Sequence, residues 1–70
     1  MNIKNLIDEI NLELEELPDS YSDLRREFNE CVSEENYRAA FYPLYKITHL
    51  PDWSPSKKLI DLVEKFKVVF

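Results

Sequence analysis

Residues 3–17 read IKNLIDEINLELEEL and are followed by Pro18. Their apolar side chains recur with the spacing of one helix face and fall within an arc of about 100°. Such a stripe must be buried against other elements, so this stretch predicts an amphipathic helix within a helical fold. Pro18 ends the helix, because the residue before a proline avoids helical dihedral angles. The stripe consists of Ile3, Leu6, Ile7, Ile10, Leu14 and Leu17.

The second helix is predicted to begin just after Pro18. Asp19 or Ser20 can cap it, and Asp23 is placed to complete a capping box with Ser20. Its apolar side chains again lie on one face, and a polar interruption follows at residues 33–36. That stripe consists of Tyr21, Leu24, Phe28, Cys31 and Val32.

The third helix is predicted to begin within this polar interruption. Pro43 lies inside it, lacks a backbone N–H and clashes with the carbonyl four residues earlier. We therefore expect either a kink or a break into two short helices at Pro43. Its stripe consists of Tyr37, Ala40, Phe41, Leu44 and Ile47 or Thr48.

The fourth helix is predicted to begin with Ser54 as its N-cap and Pro55 in the first helical position. We expect Trp53, in the preceding loop, to cover the core near Leu59. Four helices with tight connections predict an all-α fold, in which residues 1–70 form a single compact domain with antiparallel neighbours. The last stripe consists of Leu59, Leu62, Val63, Phe66, Val69 and Phe70.

The composition excludes several classes of function. The 70 residues include no glycine, which phosphate-binding loops and dinucleotide fingerprints require. With a single cysteine no internal disulfide can form, and the N-terminal residues do not resemble a signal peptide, so we expect a cytoplasmic protein. No stretch approaches the length of a membrane span.

Catalysis and metal binding find little support in the sequence. Cys31 and His49 are the only pair that resembles a nucleophile and a base, and Cys31 lies on a core stripe, where a thiol is usually inert. One histidine and one cysteine cannot supply three or four zinc ligands without carboxylates. We expect no catalytic residue, no metal and no cofactor.

Charge is divided unevenly along the chain. Residues 1–35 carry eleven acidic and three basic residues, a balance of −8, whereas residues 36–70 carry three acidic and six basic residues, a balance of +3, which together give −5. Such a field steers charged partners more than it shapes a fold. Lys57, Lys58, Lys65 and Lys67 enrich the fourth helix, but the acidic total argues against direct binding of nucleic acid.

Two acidic rows are the strongest functional signal in the sequence. On the first helix, Glu9, Glu13 and Glu16 flank the apolar stripe, and Leu12 points away from the core. On the second helix, acidic residues recur every three or four positions, and the basic residues that could relieve their repulsion lie mostly elsewhere. The rows can be a solvated surface, or a binding face in which Leu12 is the apolar anchor. The second row consists of Asp23, Glu27, Glu30 and Glu34.

The third helix has a second face formed by Arg38, Tyr42, Tyr45 and His49. Tyrosine and arginine are enriched at binding hot spots. The alternative, which we favour from sequence, is a central helix buried on two sides, whose tyrosine hydroxyls reach the surface.

Three segments resemble a known family. They are Leu17-Pro18, the run Glu34-Glu35-Asn36-Tyr37-Arg38-Ala39-Ala40, and Ser54-Pro55 leading into Leu59. Together they resemble the small all-α bacterial immunity proteins that accompany Maf and contact-dependent growth inhibition toxins. The resemblance covers roughly residues 12–66. It implies a non-enzymatic inhibitor that binds a cognate toxin domain, and many such toxins are basic nucleases.

The leading hypothesis is therefore a small helical protein that binds a basic toxin domain through its acidic face, as a monomer or weak homodimer. A second hypothesis is a phage or mobile-element protein that modulates a host enzyme, with imitation of DNA as one way of doing so. A third is a structural module that dimerises through the surface of Tyr42, Tyr45 and Trp53.

Overall fold

The computed structural model of the chain describes residues 3–69. Within this range the chain forms helices and connecting turns, and no strand, which confirms the predicted all-α fold. One short 3-10 helix, Asp19–Tyr21, lies between the first two α-helices. The four α-helices are α1 (Ile3–Leu14), α2 (Ser22–Ser33), α3 (Tyr37–Thr48) and α4 (Lys57–Val69).

All four helices contribute to one core. α2 packs most extensively on α3, and α4 packs on both α1 and α3. Phe28 of α2 and Phe66 of α4 are fully buried and meet edge to face, with their ring centroids 6.0 Å apart. The Cα radius of gyration is 11.0 Å, about the value for a compact chain of this length. The other buried apolar residues are Leu6, Ile7, Ile10, Leu14, Leu17, Ala40, Leu44, Ile47, Leu59, Leu62 and Val63.

The connection from α1 to α2 differs from the prediction. α1 ends at Leu14, three residues early, and the chain continues in tight turns that still bury Leu17. Pro18 opens the 3-10 helix, whose first bond runs from Tyr21 N–H to the Pro18 carbonyl at 2.9 Å. α2 therefore begins after Tyr21, and no side chain caps it. The predicted capping box of Ser20 and Asp23 is wrong.

The start of α4 is also two residues later than predicted. Ser56, not Ser54, is the cap, because its hydroxyl oxygen accepts a hydrogen bond from the Leu59 N–H at 3.1 Å. The Ser56 carbonyl also accepts from Ile60 N–H. Pro55 therefore lies outside the helix. Trp53 is half-buried against the core, as expected.

Pro43 does not break α3, which is continuous from Tyr37 to Thr48. Pro43 is buried, so its ring contributes to packing while the missing N–H costs the helix one internal hydrogen bond. The predicted break into two short helices is therefore wrong, and the predicted kink at Pro43 stays a prediction. At the end of α4, Val69 is exposed rather than buried, since it lies at the edge of the stripe on the last turn. Phe70 lies outside the described residues.

A tight turn reverses the chain between α2 and α3. The Glu35 N–H donates to the Val32 carbonyl and the Asn36 N–H donates to the Cys31 carbonyl, both at 2.9 Å. These two bonds form a Schellman motif, whose penultimate residue adopts left-handed dihedral angles and is usually glycine. Here it is Glu35, with φ of 59°. Asn36 then caps α3 by accepting from Ala39 N–H at 3.4 Å.

We expect Glu35→Gly to stabilise the protein by about 0.5–1 kcal/mol. The left-handed conformation costs a residue with a Cβ about 1–2 kcal/mol, and glycine avoids this cost. Part of the gain is offset because glycine also raises the conformational entropy of the unfolded chain. The matched control is Glu34→Gly. Glu34 has φ of −90°, so glycine there should cost about 0.5 kcal/mol. Urea unfolding followed by circular dichroism measures both. Equal effects of the two substitutions would contradict the assigned turn.

Candidate functional site

The acidic side chains of α2 and of Glu34, the residue that follows it, form an exposed row along one flank of the helix. We call Asp23, Glu27, Glu30 and Glu34 the α2 strip, and all four are exposed. Arg26 lies within reach of two of them: its guanidinium is 2.9 Å from the Asp23 carboxylate and 4.0 Å from that of Glu30. The expectation that basic residues lie mostly elsewhere is therefore wrong for this half of the strip.

Glu27 and Glu34 have no such compensation. Among residues 3–69, neither carboxylate forms an ion pair or accepts a side-chain hydrogen bond. The pairs made by Arg26 are solvent-exposed, and such pairs contribute only about 0–1 kcal/mol each. The strip therefore keeps a net negative charge that is available to a partner.

The negative charge of the α2 strip affects the pKa of the nearby Cys31 thiol. Its thiol is half-buried beside the core. Burial raises the pKa of the Cys31 thiol, and the nearby carboxylates of Glu27, Glu34 and Glu30 raise this pKa further. Both causes disfavour the thiolate, which is the reactive form of a cysteine. Three carboxylates of the α2 strip thus all raise the pKa of the same thiol.

The predicted acidic row of the first helix reaches the start of α4 through Glu13, and its last member, Glu16, lies in the turn after α1. Glu9 and Glu13 are half-exposed and Glu16 is exposed. The Glu13 carboxylate accepts a hydrogen bond of 2.7 Å from the Ser56 hydroxyl, the same hydroxyl that caps α4. Glu13 therefore has a structural role, because it links the end of α1 to the start of α4.

A polar contact separates the two acidic groups. Asn11 of α1 and Asn29 of α2 exchange two side-chain hydrogen bonds of 3.0 Å, and the Arg25 guanidinium reaches the Asn11 carbonyl at 3.4 Å. Residues two positions apart on a helix point about 200° apart. Glu13 thus lies on the flank of α1 opposite Asn11, and Glu27 lies on the flank of α2 opposite Asn29. The predicted site residues form two groups rather than one continuous patch.

Leu12 is an exposed apolar side chain on the outer surface of α1. Its exposed fraction is 61%, and it lies about 170° from the centre of the buried stripe, between the two acidic groups. Acidic residues precede and follow it at Asp8, Glu15 and Glu16. Leu12 therefore points away from the core, as predicted, and its role as an apolar anchor stays a prediction.

The second face of α3 is exposed, which contradicts the burial that we favoured from sequence. Tyr42 and Tyr45 have exposed fractions of 67% and 52%, and Arg38 and His49 are also exposed. α3 is covered on one side only, because α2 and α4 both pack toward its buried stripe. The His49 ring stacks on Tyr45 with centroids 4.2 Å apart, and its Nδ1 lies 2.9 Å from the Tyr45 carbonyl oxygen.

Two findings concern ligands and membranes. Within the described part of the chain, no group of three or more His, Cys, Asp or Glu side chains is placed to hold a metal ion. Among the helices of residues 3–69, none combines the length and apolarity that crossing a bilayer requires.

No protein-family model, curated protein or solved structure matches this chain. The resemblance to immunity proteins therefore stays a prediction, and the site is described by its own geometry.

The hydrogen bond between Glu13 and Ser56 can be tested by a double-mutant cycle. We expect Ser56→Ala to cost about 1 kcal/mol through loss of the cap. Glu13→Ala should cost about 0.5–1 kcal/mol, and the two changes should be less than additive because they remove one shared bond. Glu13→Gln keeps an acceptor oxygen and serves as the control. Fully additive costs in urea unfolding would show that the bond contributes nothing.

The field at Cys31 can be tested by thiol titration. We expect the double variant Glu27→Gln and Glu34→Gln to lower the thiol pKa, since it removes two negative charges that disfavour the thiolate. The pH dependence of the iodoacetamide alkylation rate measures this pKa. Asp61→Asn on α4 is the control and should leave the midpoint unchanged. An unchanged midpoint in the double variant would contradict the electrostatic assignment.

Proposed function

We propose that this chain is a non-enzymatic binding protein that holds a basic protein domain against the α2 strip, with Leu12 as an apolar contact. In its most specific form the proposal is an immunity protein that neutralises a bacterial toxin domain. The observation that carries it is the α2 strip itself, in which Glu27 and Glu34 are exposed and unpaired within residues 3–69. Like charges at this spacing destabilise a helix slightly, so the helix gains no stability from them.

The strip can serve both the rate and the specificity of binding. A surface of one charge sign accelerates the encounter with a partner of the opposite sign and disfavours wrong partners. Paired acids gain less from this effect. We therefore assign Glu27 and Glu34 the main electrostatic role, and Asp23 and Glu30 a smaller one because Arg26 lies beside them.

The molecule is small enough for both acidic groups to contribute to one interface. A standard interface buries about 800 Å² on each partner, roughly one sixth of the 4760 Å² accessible surface of this chain. Such an area can reach from the α2 strip across Leu12 to Glu9 and Glu16. Glu13 is the least available of the predicted site residues, because its carboxylate is bound to Ser56.

The toxin assignment has a different basis from the binding assignment. Acidity and geometry support a basic protein partner, whereas the toxin class rests on the resemblance of the helix-entry segments to immunity proteins. The α4 lysines do not favour nucleic acid over protein, since the chain has a net charge of −5 and would be repelled by phosphates.

The test is affinity capture from the source organism with three tagged forms of the protein, at low and high salt. The strip variant is Glu27→Lys with Glu34→Lys, and the control is Asp61→Lys with Glu64→Lys, both exposed on α4. Both variants change the net charge from −5 to −1, so they separate the position of the charge from its amount. We expect a basic protein to be captured by the wild type and the control, and lost in the strip variant and at high salt.

Further arms separate the parts of the proposal. Leu12→Ala should weaken capture without changing its salt dependence. Co-expression with the captured protein should restore growth of a bacterial host if that protein is a toxin. A captured host enzyme without toxicity would favour the modulator hypothesis over the immunity hypothesis. Equal capture by the strip variant and the control would contradict the binding assignment.

A further inference from the structure

The cleft between α3 and α4 is the second distinctive surface of the molecule. Three rings of α3 lie along it, one turn apart: the Phe41 and Tyr45 centroids are 6.3 Å apart, and Tyr45 and His49 stack at 4.2 Å. On the other side, the exposed Ile60 of α4 lines the cleft beside His49. The cleft therefore has an aromatic wall and an aliphatic side chain that solvent can reach.

A cavity lies at each end of this wall. One, of about 240 Å³, is lined by Tyr37, Arg38, Phe41, Phe66 and Lys67. The other, of about 270 Å³, is lined by Thr48, His49, Ile60, Val63 and Glu64. The start of α3 and the end of α4 therefore line the first cavity, and the end of α3 and the first half of α4 line the second. The two helices are antiparallel. We call the wall and its two cavities the α3/α4 groove.

The charges at the two ends of the groove differ in sign. Arg38 and Lys67 are exposed at the first cavity, and Glu64 is exposed at the second. Two cations around an apolar cavity stand out in a chain with a net charge of −5. We propose that the α3/α4 groove binds an amphipathic helix of a partner protein, with its apolar stripe along the rings of α3 and its carboxylates against Arg38 and Lys67.

A helix is the occupant that this geometry fits. The groove follows α3 from Arg38 to His49, about 17 Å at 1.5 Å per residue, which matches about three helical turns. Within residues 3–69 there is no strand to whose edge an extended peptide could add. The rings recur every four residues, the spacing that accepts apolar side chains from one face of a helix.

The charges also assign a direction to the bound helix. Its C-terminal end carries the negative end of the helix dipole and is stabilised near Arg38 and Lys67. Its N-terminal end carries the positive end and lies near Glu64. The bound helix therefore runs antiparallel to α3 and parallel to α4.

This proposal is independent of the proposed function. The groove is formed by α3 and α4, whereas the α2 strip and Leu12 lie on the first two helices, and the two surfaces fit partners of opposite charge. One can therefore fail while the other holds.

The test is a nuclear magnetic resonance titration of the full 15N-labelled chain with a synthetic peptide. The probe is an acetylated and amidated helix of about 13 residues, ~19 Å long, with a leucine stripe and two glutamates in its last turn. The comparison peptide has lysines in place of those glutamates. Lysines suit a helix C-terminus better than glutamates, so stronger binding by the glutamate peptide would not reflect its helicity.

We expect the glutamate peptide to shift the amide signals of residues 37–49 and 60–67 as its concentration rises to the millimolar range. Arg38→Glu with Lys67→Glu should weaken its binding about tenfold, and Tyr45→Ala should weaken it by a similar factor. Lys58→Glu with Lys65→Glu, on α4 but outside the groove, changes the net charge from −5 to −9, as the groove variant does. It is the matched control and should leave affinity unchanged. Spectra of the free variants show whether each one is folded.

Three results would overturn the proposal. They are the absence of shifts at millimolar peptide, shifts that map to α1 and α2, and equal affinity of the glutamate and lysine peptides for the groove. A dilution series without peptide tests whether a second copy of this chain occupies the groove. If groove signals move with protein concentration alone, the occupant is a second copy of this chain, and the partner-helix assignment is wrong.

Discussion

Each α-helix of this protein has only 12 or 13 residues, and helices this short are marginal in water on their own. Their stability must therefore come from the core that they share. Phe28 and Phe66 join the second and fourth helices at its centre, and Leu6, Ile10 and Leu44 are fully buried from the other two. Since no helix can hold its shape without this core, the apolar stripes leave little freedom in how the helices are arranged.

Polar contacts then set how the helices align along one another. Asn11 and Asn29 join α1 to α2, and Glu13 joins α1 to the cap of α4 through Ser56. The Tyr21 hydroxyl donates to the Asp52 carboxylate, and this bond raises the pKa of Tyr21 and ties the connection before α2 to the loop before α4. The contact between Asn11 and Asn29 occupies the facing flanks of α1 and α2. The acidic residues are therefore divided between the other flank of α1 and the other flank of α2.

The number of helices, their order and most of their stripes could be predicted from the sequence, because periodicity reports burial directly. Helix ends were harder to predict. Ser54 and Ser56 are both competent caps, and the choice depends on Glu13, which is 43 residues from Ser56. Glu35 gives no local sign of a left-handed turn in a chain without glycine. The exposure of Tyr42 and Tyr45 depends on which sides of α3 its neighbours cover. By contrast, the position of Arg26 three residues after Asp23 and four before Glu30 was a readable signal of ion pairing.

The separation of charge has a consequence for how the two surfaces can work in one small molecule. At physiological ionic strength the screening length is about 8 Å, shorter than the smallest dimension of the protein, 17 Å. A partner near the α3/α4 groove therefore senses mainly Arg38, Lys67 and Glu64, and a partner near α2 senses mainly the strip. A carboxylate of the partner that lies farther than this length from Arg38 and Lys67 gains little from either of them. The groove consequently suits a partner whose carboxylates are few and local, whereas the strip gains from every positive charge that its partner carries.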